Sequence, residues 1–405
     1  MSSTPRGERL IIAIIGKRNA GKSSLINALV GQEIAIVSEI PGTTTDPVDK
    51  HYELLPLGPV TFYDTAGVDD TGELGQKRVQ ATQKILYRAD IAIFVSDGRP
   101  FTKAELTMMD KIIGMELPIL VVFNKSDIIE ANPENMDLCL KKSLPYVSVS
   151  CITKDGIREC KDKLINLAPQ VLKDNRIIAA DLVNPQSNII LVTPIDSSAP
   201  KGRLILPQVQ TLRDLLDRNC VVTVVKETEL KSALENIKEP PSLVITDSQV
   251  IDMVAKIVPE EIPLTTFSIL FARYKGELDI LLEGINRLKS LKDGDKILIA
   301  EACSHHIQKD DIGRVKIPNW MQKFSQKDLI FDVYAGYDFP DNLEEYAVCV
   351  HCGGCMITPM EMNRRIKECY RRGVPITNYG MTIAFLQGVL ERTIKPLLKT
   401  KEKKE

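Results

Sequence analysis

The segment Gly16-Lys17-Arg18-Asn19-Ala20-Gly21-Lys22-Ser23 constrains this chain more than any other. It fits G-x-x-x-x-G-K-[ST], follows an apolar run (Leu10 to Ile15) and precedes a helix-compatible stretch (Ser24 to Val30). Glycines in such a loop let successive backbone N–H groups close on phosphate oxygens, and the helix N-terminus adds positive potential. Lys22 is placed to reach the β and γ phosphates and Ser23 to hold Mg2+, with Asn19, Ala20, Gly21 and Ser24 beside them. A strand–loop–helix opening of this kind predicts an α/β domain built on a parallel sheet.

Four further segments follow. Asp64-Thr65-Ala66-Gly67 comes after the run Val60 to Tyr63; Asp64 suits Mg2+ held through water, and Gly67 offers a backbone N–H to the γ-phosphate. Asn124-Lys125-Ser126-Asp127 follows Ile119 to Phe123. There the Asp127 carboxylate can accept from the N1–H and exocyclic amine of guanine, and an adenine would leave that carboxylate unpaired. Ser148-Val149-Ser150-Cys151, next in order and overlapping the end of the run Tyr146 to Val149, reads as a base-contacting loop, with Ser150 and Cys151 at the base. Pro41 to Asp46 is a polar, β-branched segment able to place one threonine hydroxyl, Thr44, on Mg2+. The order of these segments makes GTP the expected nucleotide, with Lys22, Thr44 and Gly67 as the expected catalytic set.

Residues 8–170 thus resemble a translation-factor-like small GTPase, most like the Era and tRNA-modification branch. The resemblance implies that Asn19 helps hold a K+ ion beside the phosphates; as a residue, Asn19 is equally an ordinary turn former. The position after Gly67, where Ras-type enzymes carry a water-orienting Gln, is Val68, so slow unassisted hydrolysis is expected.

At roughly 150 residues per domain, 405 residues predict two or three domains. Lys plus Arg total 52 against 54 Asp plus Glu, a balance that argues against a general nucleic-acid or membrane-surface binder. No apolar run approaches the ~18 residues of a membrane span, and the first residues lack a signal-peptide core, so a soluble cytoplasmic protein is expected. Residues 8–172 form the predicted GTP-binding domain. Residues 178–265 alternate predicted strands (Ile189 to Val192, Val221 to Val225, Leu243 to Thr246) with helices (Pro207 to Asp217, Glu227 to Ile237, Gln249 to Ile257), a small α/β unit for structure or dimerisation. Residues 266–405 carry predicted strands at Lys296 to Ala300, Leu329 to Tyr334 and Tyr346 to Val350, with an apolar strand starting near Leu264 at their border. Helices are expected at Leu278 to Leu288, Met360 to Arg371 and Thr382 to Ile394, with Arg364, Arg365, Arg371 and Arg372 on a solvated face.

That last region holds a bunched set of thiols among nine cysteines: Cys349, Cys352 and Cys355, with Cys303-Ser304-His305 upstream and His351 adjoining. Thiolates are soft donors suited to zinc or an iron–sulfur cluster. A C-x-x-C turn with Gly353 and Gly354 inside it lets both sulfurs face one site. Three ligands, Cys303, Cys352 and Cys355, are clear; Cys349 is either a further ligand or a core thiol.

A GTPase region, a middle α/β region and a C-x-H…H-C-x-x-C motif together resemble the HydF family, the GTPases that mature iron-only (FeFe) hydrogenases. The resemblance spans essentially the whole chain. It implies a 4Fe-4S cluster on Cys303, Cys352 and Cys355 with a labile fourth ligand, for which His305 is a candidate, and a dimer contact in the middle domain. It further implies a scaffold that takes a transient diiron precursor from two radical-SAM maturases and passes it to apo-hydrogenase. The competing expectation is an RNA- or ribosome-associated GTPase with a zinc-binding C-terminal module.

Overall fold

The computed structural model describes residues 9–31, 48–55, 58–65, 82, 84–168, 177–195, 204–302, 311–336, 339–340 and 342–401. The chain divides into two compact units, residues 1–175 and 176–405.

The first unit is a six-stranded sheet in the order β2-β3-β1-β4-β5-β6. Its strands are β1 (Leu10–Ile15), β2 (Val48–Leu54), β3 (Gly58–Asp64), β4 (Ile91–Ser96), β5 (Ile119–Asn124) and β6 (Tyr146–Val149). All pairings are parallel except β2 with β3. β1, β4 and β5 are buried along their whole length, as continuous apolar runs covered on both faces should be. One face packs Ile12, Ile14, Ile93 and Val122 against helices α1 (Lys22–Val30) and α4 (Ile157–Leu167); the other packs Ile11, Ile15, Phe94 and Phe123 with α2 (Lys103–Gly114) and α3 (Pro133–Lys141). α2 starts at a full capping box between Thr102 and Glu105, and α3 at Asn132, whose side chain accepts two backbone N–H groups. β2 escapes the sequence reading because Val-Asp-Lys-His-Tyr-Glu-Leu is mostly polar, which an antiparallel edge tolerates.

The second unit holds two parallel four-stranded sheets. The first, in the order β10-β9-β7-β8, uses β7 (Asn188–Val192), β8 (Val221–Val225), β9 (Leu243–Thr246) and β10 (Leu264–Thr266), with α5 (Leu206–Asp217), α6 (Leu230–Asn236) and α7 (Ile251–Ile257) between them. α8 (Phe267–Lys275) and α9 (Leu278–Leu288) lead to the second sheet, order β12-β11-β13-β14, from β11 (Lys296–Glu301), β12 (Ile330–Ala335), β13 (Tyr346–His351) and β14 (Ile376–Asn378). α10 (Ile317–Ser325), α11 (Pro359–Arg371), α12 (Tyr379–Leu386) and α13 (Leu390–Lys401) complete it. One continuous core runs from Ile178 to Leu397 through both sheets.

Four sequence expectations change here. The apolar segment near Leu264 pairs Leu264 with Val244 and so joins the first sheet. The helix expected from Thr382 to Ile394 is two helices, α12 and α13, parted where Gly388 takes φ 73°. The helix expected from Glu227 opens with a short 3-10 turn, Glu227–Glu229, ahead of α6. Arg365 is buried rather than solvated, because its neighbours on β13 and α11 supply hydrogen-bond acceptors.

Candidate nucleotide site and candidate metal centre

The phosphate loop leaves β1 at Gly16 and enters α1 at Gly21, which takes φ 94° as its N-cap. A Cβ at Gly16 would stand 2.2 Å from the Val95 carbonyl oxygen, so only glycine lets the loop pass over the end of β4. Asn19 also has positive φ, 58°, and its side chain is exposed, an orientation compatible with either a turn or an ion contact. Ala20 is buried and its carbonyl accepts from the Asn124 amide at 3.0 Å, tying the phosphate loop to the base loop.

Lys22 Nζ donates to the Gly16 and Lys17 carbonyls at 3.0 and 2.9 Å, within the loop that it would share with phosphates. Ser23 Oγ donates to Asp64 Oδ2 at 2.5 Å. The two expected Mg2+ donors therefore meet, although 41 residues separate them, because β1 pairs Ile14 with Asp64. Both are hard oxygen donors, the set a Mg2+ site uses. Ser24 is exposed on the first turn of α1.

At the far end of the loop, Cys151 Sγ donates to Asn124 Oδ1 at 3.2 Å, so Asn124 bridges Ala20 and Cys151. Burial pushes the Cys151 thiol up to about 11, so it is a neutral donor at ordinary pH. Lys125 adopts φ 67°, and Asp127 is exposed. Ser150 is buried, and its hydroxyl accepts from the Ile152 and Thr153 amides, which makes it a loop organiser. Thr44, Gly67, Val68 and the segment 41–46 lie outside the described residues.

One contact escaped the sequence reading: Lys17 Nζ lies 2.8 Å from Asp97 Oδ1 at the end of β4. Burial raises the Asp97 pKa, but the Lys17 hydrogen bond and charge and the Arg99 amide outweigh it and hold the carboxyl below its usual value. The signal was present in Ser96-Asp97-Gly98, a polar stop directly after an apolar strand.

The thiol site forms where parallel β11 and β13 end side by side, with Ala300 opposite His351. Cys352 N–H donates to the Ala300 carbonyl at 2.8 Å, and Ala302 N–H returns a bond to Cys352 Sγ at 3.1 Å. Cys303 and His305 lie outside the described residues, but Cys303 is the next residue after Ala302. Lys275, 1% exposed at the end of α8, donates to the carbonyls of Gly354, Cys355 and Ile357 at 3.0, 3.3 and 2.9 Å. It shapes the turn around Cys355, whose thiol burial pushes up while Lys275 pulls it down.

His351 is fully buried and both ring nitrogens are engaged. Nδ1 sits 2.7 Å from the Cys352 carbonyl oxygen and Nε2 sits 3.1 Å from Arg365 Nη1. A carbonyl on one side and a guanidinium on the other place the proton on Nδ1 of a neutral ring. Burial, then the Arg365 charge, drive the imidazole down to about 3. Glu361 Oε1 accepts from Arg365 Nη2 at 3.1 Å and balances its charge. Cys349 is buried in β13, where burial and the neighbouring Cys369 push its thiol well up, as suits a core thiol.

Among the described residues no group of three His, Cys, Asp or Glu side chains is placed to hold a metal ion. The thiols of Cys352 and Cys355 nevertheless suit an iron–sulfur group: both are soft donors on one turn, and Cys352 Sγ already accepts a backbone N–H.

Two family models, described as the hydrogen maturase F dimerization domain and the hydrogen maturase F tetramerization domain, match residues 178–276 and 279–396, together more than half of the chain. The chain belongs to the hydrogen maturase F family. A third model, described as 50S ribosome-binding GTPase, matches residues 11–125, so the first unit is a GTPase domain. The tRNA modification GTPase MnmE of Thermoanaerobacter sp. (strain X514) is 38% identical over 162 residues, 40% of this chain and 35% of that protein. GTPase Der of Kosmotoga olearia is 37% identical over 212 residues, 48% of this chain and 46% of its own. The chain thus spans less than half the length of these curated relatives. A crystal structure of Era in complex with MgGDPNP and nucleotides 1506–1542 of 16S ribosomal RNA is 20% identical, covering 53% of this chain and 93% of its own, with a TM-score of 0.34. Among the described residues no helix is long and apolar enough to cross a membrane.

Proposed function

We propose that this protein is a cytoplasmic GTP-hydrolysing scaffold in FeFe-hydrogenase maturation. The observation that carries the reading is the meeting of the β11 and β13 ends, where the residue before Cys303 donates to Cys352 Sγ. Cys303, Cys352 and Cys355 hold a 4Fe-4S cluster, with His305 as the candidate for the fourth position. When bound, the cluster supplies an exchangeable iron coordination site. Lys275 keeps the Cys355 turn in shape, and His351, locked by Arg365, stiffens the strand end without being a ligand.

In the first unit Lys22 and the loop amides bind the GTP phosphates, Ser23, Asp64 and Thr44 hold Mg2+, and Asn19 contributes to a K+ site. Gly67 contacts the γ-phosphate, while Asn124, Lys125, Asp127, Ser150 and Cys151 form the guanine end. The GTP state times encounters with two radical-SAM maturases, which load a diiron precursor as cargo, and with apo-hydrogenase, which receives it. The domains are 8–172, 178–265 and 266–405, and the protein assembles as a homo-oligomer, at least a dimer, through its second unit.

The test is anaerobic purification, iron analysis and EPR of the dithionite-reduced protein beside Cys352→Ser, with GTP turnover compared in K+ and Na+. About four irons per chain and a signal lost in the variant are expected, with faster turnover in K+. One zinc and no iron would sink the cluster reading and favour an RNA-associated GTPase, which the ribosome- and tRNA-type relatives of the first unit also support. Equal turnover in the two salts would remove the K+ site.

A further inference from the structure

Tyr379 opens α12 directly after β14, and its hydroxyl is shut off from solvent with no hydrogen-bond partner among the described residues. A phenol stranded in this way costs about 1–3 kcal/mol. The surroundings show that the stranding is built in. Residues Ile312–Lys316 form a wide π turn, a feature frequent at functional sites. A Cβ on Gly313 within that turn would lie 2.0 Å from the Tyr379 hydroxyl and 3.0 Å from Glu301 Oε1. Only a glycine leaves room for the phenol tip.

The neighbouring carboxylate does not serve the phenol: Glu301, buried at the end of β11, turns Oε2 to Arg314 Nη2 at 2.8 Å and makes no hydrogen bond to Tyr379. β11 then runs into Ala302, the donor to Cys352 Sγ. Burial first, then the charges of Cys352, Glu301, Asp311 and Cys349, raise the phenol's pKa well above its ordinary value. β14 pairs Asn378 with His351, so Tyr379 follows beside the strand end that carries Cys352, a buried phenol donor with no acceptor among the described residues.

We propose that Tyr379 is a positioning residue that donates a hydrogen bond to a sulfide of the iron–sulfur group held by Cys352 and Cys355. The inference rests on the cluster reading above. A sulfide is the acceptor whose arrival with the group satisfies a donor left unpaired by the polypeptide itself. Hydrogen bonds to cluster sulfurs stabilise the more negative, reduced state, so Tyr379 raises the reduction potential and slows loss of the group.

The test compares full-length, anaerobically reconstituted protein with Tyr379→Phe and Gly313→Ala. Gly313→Ala keeps the phenol but displaces its tip. Measured are iron per chain, midpoint potential, the rate of iron loss to a chelator, and exchangeable-proton couplings of the reduced cluster by pulsed EPR in H2O and D2O. Expected for both variants are near-normal initial iron, a lower midpoint potential, roughly 10-fold faster iron loss and the disappearance of one exchangeable coupling. Thermal melts of the iron-free proteins check folding, and Tyr379→Phe should melt no lower than the parent. Unchanged potential and couplings in iron-loaded Tyr379→Phe would overturn the inference while leaving the cluster reading intact. Absence of iron from the parent would remove both.

Discussion

Replacing Lys275 with methionine tests whether one buried ammonium holds the Cys355 turn. The perturbation keeps most of the side chain's length, one atom short, and deletes its three donors. The carbonyls of Gly354, Cys355 and Ile357, now bonded at 3.0, 3.3 and 2.9 Å, would lose a charged partner in a place that water does not reach. Methionine also removes the cost of burying an ammonium, which offsets part of the loss. Three buried carbonyls deprived of this donor nevertheless lose about 1–3 kcal/mol each, and with the ammonium offset the net cost is about 3–5 kcal/mol.

The chain has a single tryptophan, Trp320 on α10, packed against the core of the second unit. Its fluorescence in urea therefore follows that unit alone. With a urea dependence of about 3 kcal/mol/M for a unit of this size, the midpoint should fall by about 1–1.7 M in iron-free protein. A shift under about 0.3 M would refute the argument. It would mean that the carbonyls find other partners and that the turn does not depend on Lys275.

Two more outcomes follow from the first unit. Gly21→Ala forces a side chain onto φ 94° and into contact with the Asn124 amide, 2.1 Å from the new Cβ, so it should weaken binding of a fluorescent GTP analogue by about 10–100-fold; unchanged affinity would show that the loop-to-base link is dispensable. Asp97→Asn should lower the thermal stability of the first unit, followed by circular dichroism, by roughly 1 kcal/mol near neutral pH. Because the folded carboxyl titrates below its ordinary value, its stabilisation is present above that ordinary value and fades as pH falls through the folded one. Parent and variant should converge only below about pH 4, and convergence at higher pH would contradict the depressed pKa.

Much of the first unit was legible because β1, β4 and β5 are nearly continuous apolar runs followed by chemically committed loops. Leu10 to Ile15 and Tyr146 to Val149 were read to the residue, and the loops after them carry their chemistry in fixed order. In the second unit β14 and α10 were missed. β14 is only Ile376–Asn378, too short for any periodicity, and Pro318 at the head of α10 reads as a breaker although it occupies a first-turn position that favours proline.

The sequence by itself determined the phosphate loop, the order of the polar loops that follow it and the bunching of the thiols, because short-range spacing decides which donors can share a turn. Only the tertiary structure decided that Ser23 meets Asp64, that Lys275 caps the turn at Cys355, that Arg365 is buried against His351, and that the Tyr379 hydroxyl has no partner among the described residues. Lys275 and Cys355 are 80 residues apart, and the pairing of strands brings such groups together. Burial then sets their protonation and their need for partners, and burial is a property of packed elements that no local pattern records.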